Sequence, residues 1–218
     1  MSIERRRTTR DGLFIIGIVG RTGSGKSTVA RTFAEAGAVV LEADRLGHEV
    51  TDTDPAVRAA LAAEYGDEVY LPDGRLDRAR VAGKVFRDPA ARGRLDALVH
   101  PRIIARIRAR FDELKASGFR GPVVLDAALL LDWGLERECD IVVAVVAPER
   151  LQLERLAASR GWSREHAAER LAVQRPEDEF RASADVTIEN DGSREALEAR
   201  SREMLGRLLA AHEAQDGH

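Results

Sequence analysis

The sequence predicts an α/β fold in which a five-stranded parallel sheet is flanked by helices. Five short apolar stretches rich in Val and Ile alternate with helical patterns along the chain. Within each stretch the hydrophobicity is continuous, not alternating, which is typical of parallel strands that are buried on both faces. The length of 218 residues suits one α/β domain with an additional subdomain.

The strand predictions follow directly from these stretches. In chain order they are LFIIGIV (13–19), AVVLE (38–42), PVVLD (122–126), DIVVAVV (140–146) and DVTI (185–188). The connection between the second and third stretches is far too long for a simple crossover. We therefore expect one domain over residues 13–210, with a core of residues 13–44 and 121–210 and a helical cap of about residues 45–120.

Three Xaa-Pro pairs indicate where the cap helices begin. The DP pairs at 54–55 and 88–89 each offer an aspartate as N-cap and a proline as the first helical residue. The HP pair at 100–101 is predicted to open a third helix, RIIARIRARFDELKASG, which ends at Gly118 in a C-cap-like position.

Composition and charge restrict the class of protein. The formal net charge of −3 gives no general attraction to nucleic acid or acidic membranes, and the single cysteine, Cys139, fits a reducing compartment. No apolar run approaches the roughly 20 residues that cross a bilayer, and the basic start lacks the apolar core of a secretory signal. We expect a cytoplasmic protein with no nucleic-acid or membrane partner, and tails at residues 1–12 and 211–218.

The segment after the first strand is GRTGSGKS, residues 20–27, which satisfies the pattern G-x-x-x-x-G-K-[ST]. Gly20, Gly23 and Gly25 allow backbone conformations that a Cβ would prevent, so successive N–H groups, including that of Ser24, can converge on phosphate oxygens. The positive N-terminal end of the following helix adds to this attraction. The loop therefore predicts a site for the phosphates of a nucleotide.

The residues that close the loop supply the remaining groups. Lys26 is one of only three lysines in a chain with 34 Lys and Arg residues, and its compact ammonium follows β- and γ-phosphates better than a rigid guanidinium. Ser27 offers a hydroxyl to Mg²⁺, and Thr28 can reach an α-phosphate. The order of glycines is not G-x-G-x-x-G, which disfavours a dinucleotide-binding fold.

A nucleotide site does not by itself specify a reaction, because kinases, GTPase-type switches and nucleotide-driven assembly factors share such loops. A guanine-reading switch normally carries an N/T-K-x-D segment late in the sheet, whereas Lys84 and Lys115 are followed by VF and AS. This disfavours the switch and leaves a kinase or an assembly factor.

Two carboxylates, Glu42 and Asp44, follow the second predicted strand. They would point to the same side if the chain were extended. At this strand end, a carboxylate of a P-loop kinase can orient an acceptor hydroxyl or accept its proton. The alternative is that Asp44 only caps a helix that starts near Arg45.

Together these features resemble the dephospho-CoA kinase family of P-loop kinases, over about residues 13–210. The resemblance rests on the order of several elements: the loop, EAD (42–44) in place of D-A-D, HP (100–101), ALLLD (128–132), the arginine-bearing helix LERLAASRGWS, Gln174 and ADVTIENDGS (184–193). The loop is generic, whereas the last segment and the spacing are far more specific. The resemblance implies a P-loop NTPase-type fold with a helical substrate-binding cap and a lid at about residues 150–175.

The resemblance also implies a reaction, the phosphorylation of the ribose 3′-hydroxyl of dephospho-CoA by ATP with Mg²⁺. Asp44 matches the second acid of D-A-D and is expected to position and deprotonate the acceptor hydroxyl, while Glu42 keeps the charge of the first. Asp126 is expected to hold the water shell of the metal, unless it only bonds local backbone. A P-loop kinase of another nucleotide or small metabolite is the alternative.

Four more residues are candidates by the same resemblance. Arg155 is expected to be a lid residue that moves onto the phosphates when ATP binds. His100 is either a substrate-proximal group or a structural hydrogen bonder at a helix N-terminus. The ENDG segment, residues 189–192, is expected to form a turn near the adenine, where Asn190 and Gly192 present amide or backbone contacts to the base.

The chain departs from the family pattern in its loop and its lid. Residues 21–22 are Arg-Thr where Gly-Ile is usual, a change that we expect the loop to tolerate. The position four residues after Arg155 is Ser159, not arginine, and Arg160 lies about 100° further around a helix. Arg155 is therefore the stronger candidate for a phosphate contact.

Overall fold

The computed structural model describes residues 12–85 and 88–216, so almost all of the tail expected at residues 1–12 lies outside the described residues. The chain forms two compact units. One contains the described residues up to Leu41 together with those from Gly118 onward, and the other is Glu42–Ser117. The second unit covers nearly the range of the predicted cap, about residues 45–120, whose role in substrate binding stays a prediction.

The first unit is built on a parallel sheet of five strands, which confirms the predicted fold class. The strands are β1 (Phe14–Val19), β2 (Val39–Glu42), β3 (Pro122–Asp126), β4 (Ile141–Val146) and β5 (Val186–Glu189). Their order in the sheet is β2-β3-β1-β4-β5, so β1 is central. Each predicted strand is found with both ends within one residue, because every residue of β1 and β4 is buried and the apolar run marks the strand itself.

Helices flank this sheet and make up most of the second unit. They are α1 (Lys26–Glu35), α2 (Ala43–Thr53), α3 (Pro55–Tyr65), α4 (Arg78–Val85), α5 (Pro89–Ala116), α6 (Glu149–Arg160), α7 (Arg164–Ala172), α8 (Glu177–Ser183) and α9 (Arg194–Asp216). Helices α1 and α9 share the main core with the sheet; its buried residues include Phe33, Ile16, Val143, Leu197 and Leu208.

The predicted C-terminal tail at residues 211–218 is wrong for residues 211–216, because α9 continues to Asp216. Leu205 and Leu208 are buried against the sheet. One turn further, the ring of His212 stacks on Phe14, with 4.3 Å between ring centroids. Packing contacts thus extend past residue 210 and favour a longer helix.

Two of the three predicted cap-helix starts are confirmed. The Asp54 side chain accepts hydrogen bonds from the N–H groups of Ala56 and Val57 at the start of α3. The Asp88 side chain accepts one from the N–H of Ala90 at the start of α5. Both aspartates therefore act as N-caps in front of a proline.

The third start is wrong, because α5 runs through Pro101 without interruption. A proline inside a helix removes one backbone hydrogen bond and costs about 3 kcal/mol. An apolar stripe nevertheless continues at helical spacing from before the proline to well past it, and its buried members are Val99, Ile103, Ile107 and Phe111. Burial of this stripe accounts for the continuous helix.

Candidate functional site

The predicted phosphate loop lies between β1 and α1, as the motif requires. β1 ends at Val19 and α1 begins at Lys26. Gly20, Gly23 and Gly25 have φ angles of +144°, +78° and +108°. Residues with a Cβ rarely adopt these angles, so the three glycines are needed for the backbone conformation of the loop.

Packing adds a second requirement for glycine in this loop. A Cβ on Gly20 would lie 2.2 Å from the carbonyl oxygen of Val145 in β4, and a Cβ on Gly25 would lie 2.4 Å from the side-chain nitrogen of Asn190. The loop is therefore held against β4 and the segment after β5 with no room for a methyl group.

We expect Gly20→Ala to lower the free energy of unfolding by about 3 kcal/mol or more, because the new Cβ meets a backbone atom of a central strand that cannot move aside. Gly37→Ala is the matched control: Gly37 also has a positive φ, +98°, but a Cβ there meets nothing within 4 Å. Its cost is only backbone strain, about 1 kcal/mol. Urea unfolding of both variants measures the difference, and equal losses would contradict a steric role for Gly20.

Lys26 bridges the loop from the first position of α1. Its Nζ donates to the carbonyl oxygens of Gly20, at 2.7 Å, and Arg21, at 3.2 Å. Ser27 follows it and is exposed, while Thr28 is half-buried. The ammonium and both hydroxyl-bearing residues thus stand at the N-terminal end of α1, where the helix dipole favours an anion.

The side chain of Asn190, a residue expected to contact the adenine through its amide or its backbone, is bonded to the protein. Its Nδ2 donates to the Ser24 carbonyl oxygen at 2.7 Å, its Oδ1 accepts from Arg155 at 3.0 Å, and only 4% of the residue is exposed. Ser24 itself is fully buried, so its hydroxyl does not face a ligand. Asn190 therefore supports the phosphate loop from the turn after β5. Contact of this turn with a base stays a prediction.

Arg155, on α6, is held at the same turn. Its Nη2 donates to the carbonyl oxygens of Asn190 and Gly192, each at 3.3 Å, in addition to the Asn190 side chain. Its Nη1 is buried without a hydrogen-bond partner among residues 12–85 and 88–216, and burial lowers the pKa of the guanidinium below its usual range. The guanidinium of Arg160 lies instead over the Trp162 ring, 5.0 Å from its centroid.

Asp126 is the last residue of β3 and lies in register with Ile18 of β1, next to the start of the loop. It is half-buried. Parallel strands end at one edge of a sheet, so a carboxylate at this position lies at the edge from which the phosphate loop leaves.

Residues 21–22 make contacts that the sequence did not predict. The Arg21 Nη1 donates to Glu149 Oε2 at 3.2 Å, and its Nη2 donates to the Leu171 carbonyl oxygen at 2.7 Å. Thr22 donates its N–H to Gln174 Oε1 at 2.9 Å, and Gln174 Nε2 donates to Thr22 Oγ1 at 2.6 Å. These partners are about 130–150 residues away in sequence, so no local sequence pattern predicts these contacts.

Asp44 and His100 lie in the second unit, Glu42–Ser117. Asp44 is the second residue of α2 and is exposed. The expectation that Glu42 and Asp44 share one side of an extended segment is wrong, and so is the helix start near Arg45, because α2 begins at Ala43 with Glu42 at the N-cap position.

His100 lies in the interior of α5, so its alternative role as a hydrogen bonder at a helix N-terminus is wrong. Its Nε2 is 3.5 Å from Asp96 Oδ1, one turn earlier, and the side chain is 29% exposed. Contact with a substrate remains a prediction.

Comparison with known sequences gives one consistent result. The sequence model of the dephospho-CoA kinase family matches residues 14–196. A dephospho-CoA kinase of Thermobifida fusca is 40% identical over 194 residues, which is 88% of this chain and 95% of that protein. One from Geobacter sulfurreducens is 39% identical over 190 residues, or 87% of this chain and 96% of that protein.

Two solved structures have a similar fold. A crystal structure from Thermus thermophilus is 35% identical, has a TM-score of 0.72, and is matched over 92% of this chain and 98% of its own. The dephospho-CoA kinase from Campylobacter jejuni has a TM-score of 0.65 over 89% of this chain and 96% of its own; at 20% identity it supports the fold alone.

Proposed function

Since the chain belongs to the dephospho-CoA kinase family, we propose that it transfers the γ-phosphoryl group of ATP to the ribose 3′-hydroxyl of dephospho-CoA, giving coenzyme A. The observation that carries this proposal is the family match over residues 14–196. This range includes the glycine loop, whose three glycines have positive φ angles. In-line phosphoryl transfer needs little covalent help from a protein, so positioning and charge neutralisation supply most of the rate.

ATP is assigned to the loop between β1 and α1. The backbone N–H groups of Gly23, Ser24 and Gly25 and the ammonium of Lys26 would bind its phosphates, with Thr28 on the α-phosphate. Lys26 donates to the backbone carbonyls of Gly20 and Arg21, bonds that it can exchange for phosphate oxygens. Arg155 would reach the phosphates after it releases the turn at Asn190–Gly192.

Ser27 and Asp126 fit a magnesium site by their chemistry. An exposed hydroxyl at the start of α1 and a carboxylate at the end of the strand beside β1 are the hard oxygen donors that Mg²⁺ prefers. When bound there, Mg²⁺ would neutralise charge on the transferred phosphoryl group.

Asp44 would act on the acceptor. As an exposed carboxylate it can accept a hydrogen bond from the ribose 3′-hydroxyl, orient that oxygen and take its proton during transfer. It follows the last residue of β2 by two positions, which supports this role. His100 would contribute to binding of dephospho-CoA.

We also propose a cytoplasmic enzyme that binds neither nucleic acid nor membranes. The arginines of α5 support the absence of nucleic-acid binding, because their charges are paired with glutamates. Arg106 bonds to Glu49 and Glu113, and Arg110 bonds to Glu113. As for membranes, the described part of the chain holds no helix with the length and apolar character of a membrane span.

The test is product analysis by mass spectrometry after incubation with ATP, Mg²⁺ and a panel of acceptors that includes dephospho-CoA, nucleosides and nucleoside monophosphates. We expect phosphorylation of dephospho-CoA at the 3′ position. Exclusive phosphorylation of a nucleoside monophosphate would show a kinase of another acceptor. ATP turnover that no acceptor stimulates would favour an assembly factor.

A further inference from the structure

We propose that Arg21 is a positioning residue of the nucleotide site, which fixes the phosphate loop to α6 and α7 by a clasp formed with Glu149 and the Leu171 carbonyl. The inference rests on the proposed function in so far as the loop binds ATP. It concerns a residue that lies in the phosphate loop and bonds to α6 and α7.

The stronger arm of the clasp is the bond to Leu171. This carbonyl belongs to the last turn of α7, where the helix end carries partial negative charge, and it also accepts the N–H of Gln174 at 3.1 Å. A guanidinium 2.7 Å away is therefore a favourable cation at a helix C-terminus. The Arg21 side chain is only 14% exposed, so water screens this bond little. The arm to Glu149 is weaker, since that carboxylate is 59% exposed.

Thr22, the next residue of the loop, and Gln174, three residues after Leu171, extend the clasp. Their two reciprocal hydrogen bonds tie the loop to the segment that follows α7. Val173, between the two tied positions, is 81% exposed. Leu171 is buried with Leu153 and Leu156 of α6, so apolar packing holds the end of α7, and the polar bonds to residues 21–22 hold the exposed residues that follow it.

The consequence for binding is preorganisation. Because Thr22 already donates its N–H to Gln174, the clasp fixes which loop amides remain directed to a phosphate. A loop that is ordered before binding loses less conformational entropy when ATP binds. Without Arg21 the loop would have to be ordered by the nucleotide itself.

The experiment uses Arg21→Met in the full chain, which removes the charge and keeps the aliphatic stem. We expect the Kd for ATP, measured by calorimetry without acceptor, to rise about three- to tenfold. Hydrogen exchange of the amides at residues 171–174 should accelerate, while kcat at saturating substrates stays within about twofold of wild type. Arg21→Lys should recover part of the affinity, because an ammonium can reach one partner but cannot bridge both.

Arg207→Met is the control for lost charge, since Arg207 is exposed on α9 and its side chain bonds to no residue in the described ranges. An unchanged Kd with a lower melting temperature would show that Arg21 only stabilises the fold, and unchanged Kd and exchange would show that the clasp does not form in solution. Glu149→Gln, which leaves the loop untouched, should give a smaller effect in the same direction even if Arg21→Met folds poorly. ATP binding without phosphorylation of dephospho-CoA would refute the proposed function and still leave the Kd comparison valid.

Discussion

Lys26→Ala is expected to lower kcat/KM for ATP by about 10²- to 10³-fold, the range observed when one preorganised electrostatic group at a transition state is removed. Lys26 is the first residue of α1, and its Nζ donates to the loop carbonyls of Gly20 and Arg21. On phosphate binding this ammonium would contact oxygens in both the ground state and the transition state. Both the Kd for ATP and kcat should therefore worsen.

Lys115→Ala is the matched control, because Lys115 is exposed in the last turn of α5 and makes no side-chain hydrogen bond within residues 12–85 and 88–216. Steady-state kinetics and calorimetry of both variants separate the two parameters. The loss of the Lys26 bonds also loosens the loop, so urea unfolding is measured in parallel. If Lys26→Ala bound ATP as tightly as the control, the ammonium would have no contact with the phosphates.

The sequence predicted the parts of this fold that local patterns encode. β3 was predicted at its exact bounds, because a continuous apolar run is both the signal and the cause of burial on two faces. The phosphate loop was predicted for a similar reason: its conformation needs positive φ angles, and the motif places glycines at those positions. Asp54 and Asp88 cap helices through bonds to residues two or three positions ahead, which is also local information.

Features that depend on distant partners were not predictable. Pro101 signals a helix start locally, yet the buried stripe of α5 keeps the helix continuous. The sequence did not predict that the Asn190 side chain bonds to Ser24 and Arg155. Arg21 looked like a tolerated variation, and only the three-dimensional structure shows its bond to Leu171.

Asp44→Asn is expected to lower kcat by about 10²-fold or more, the contribution typical of a positioned acid–base group. The variant keeps the shape of the side chain and removes its ability to take the proton of the acceptor hydroxyl. The Kd for ATP should change by less than about twofold, because the proposed phosphate contacts come from the loop and α1 and not from this carboxylate. Rapid-quench kinetics with dephospho-CoA and calorimetry with ATP measure the two effects separately.

The alternative for Asp44 is a purely local one: an exposed carboxylate in the first turn of α2 that favours the helix N-terminus. Asp178 has the same setting in the first turn of α8, so Asp178→Asn is the matched control. In both variants a lost charge at a helix start should cost about 0.3–1 kcal/mol of stability. If both variants lose the same stability but only Asp44→Asn loses rate, the Asp44 carboxylate acts on the acceptor hydroxyl, because the effect on the helix N-terminus is the same in both variants. A near-normal kcat in Asp44→Asn would instead restrict its role to the N-terminus of α2.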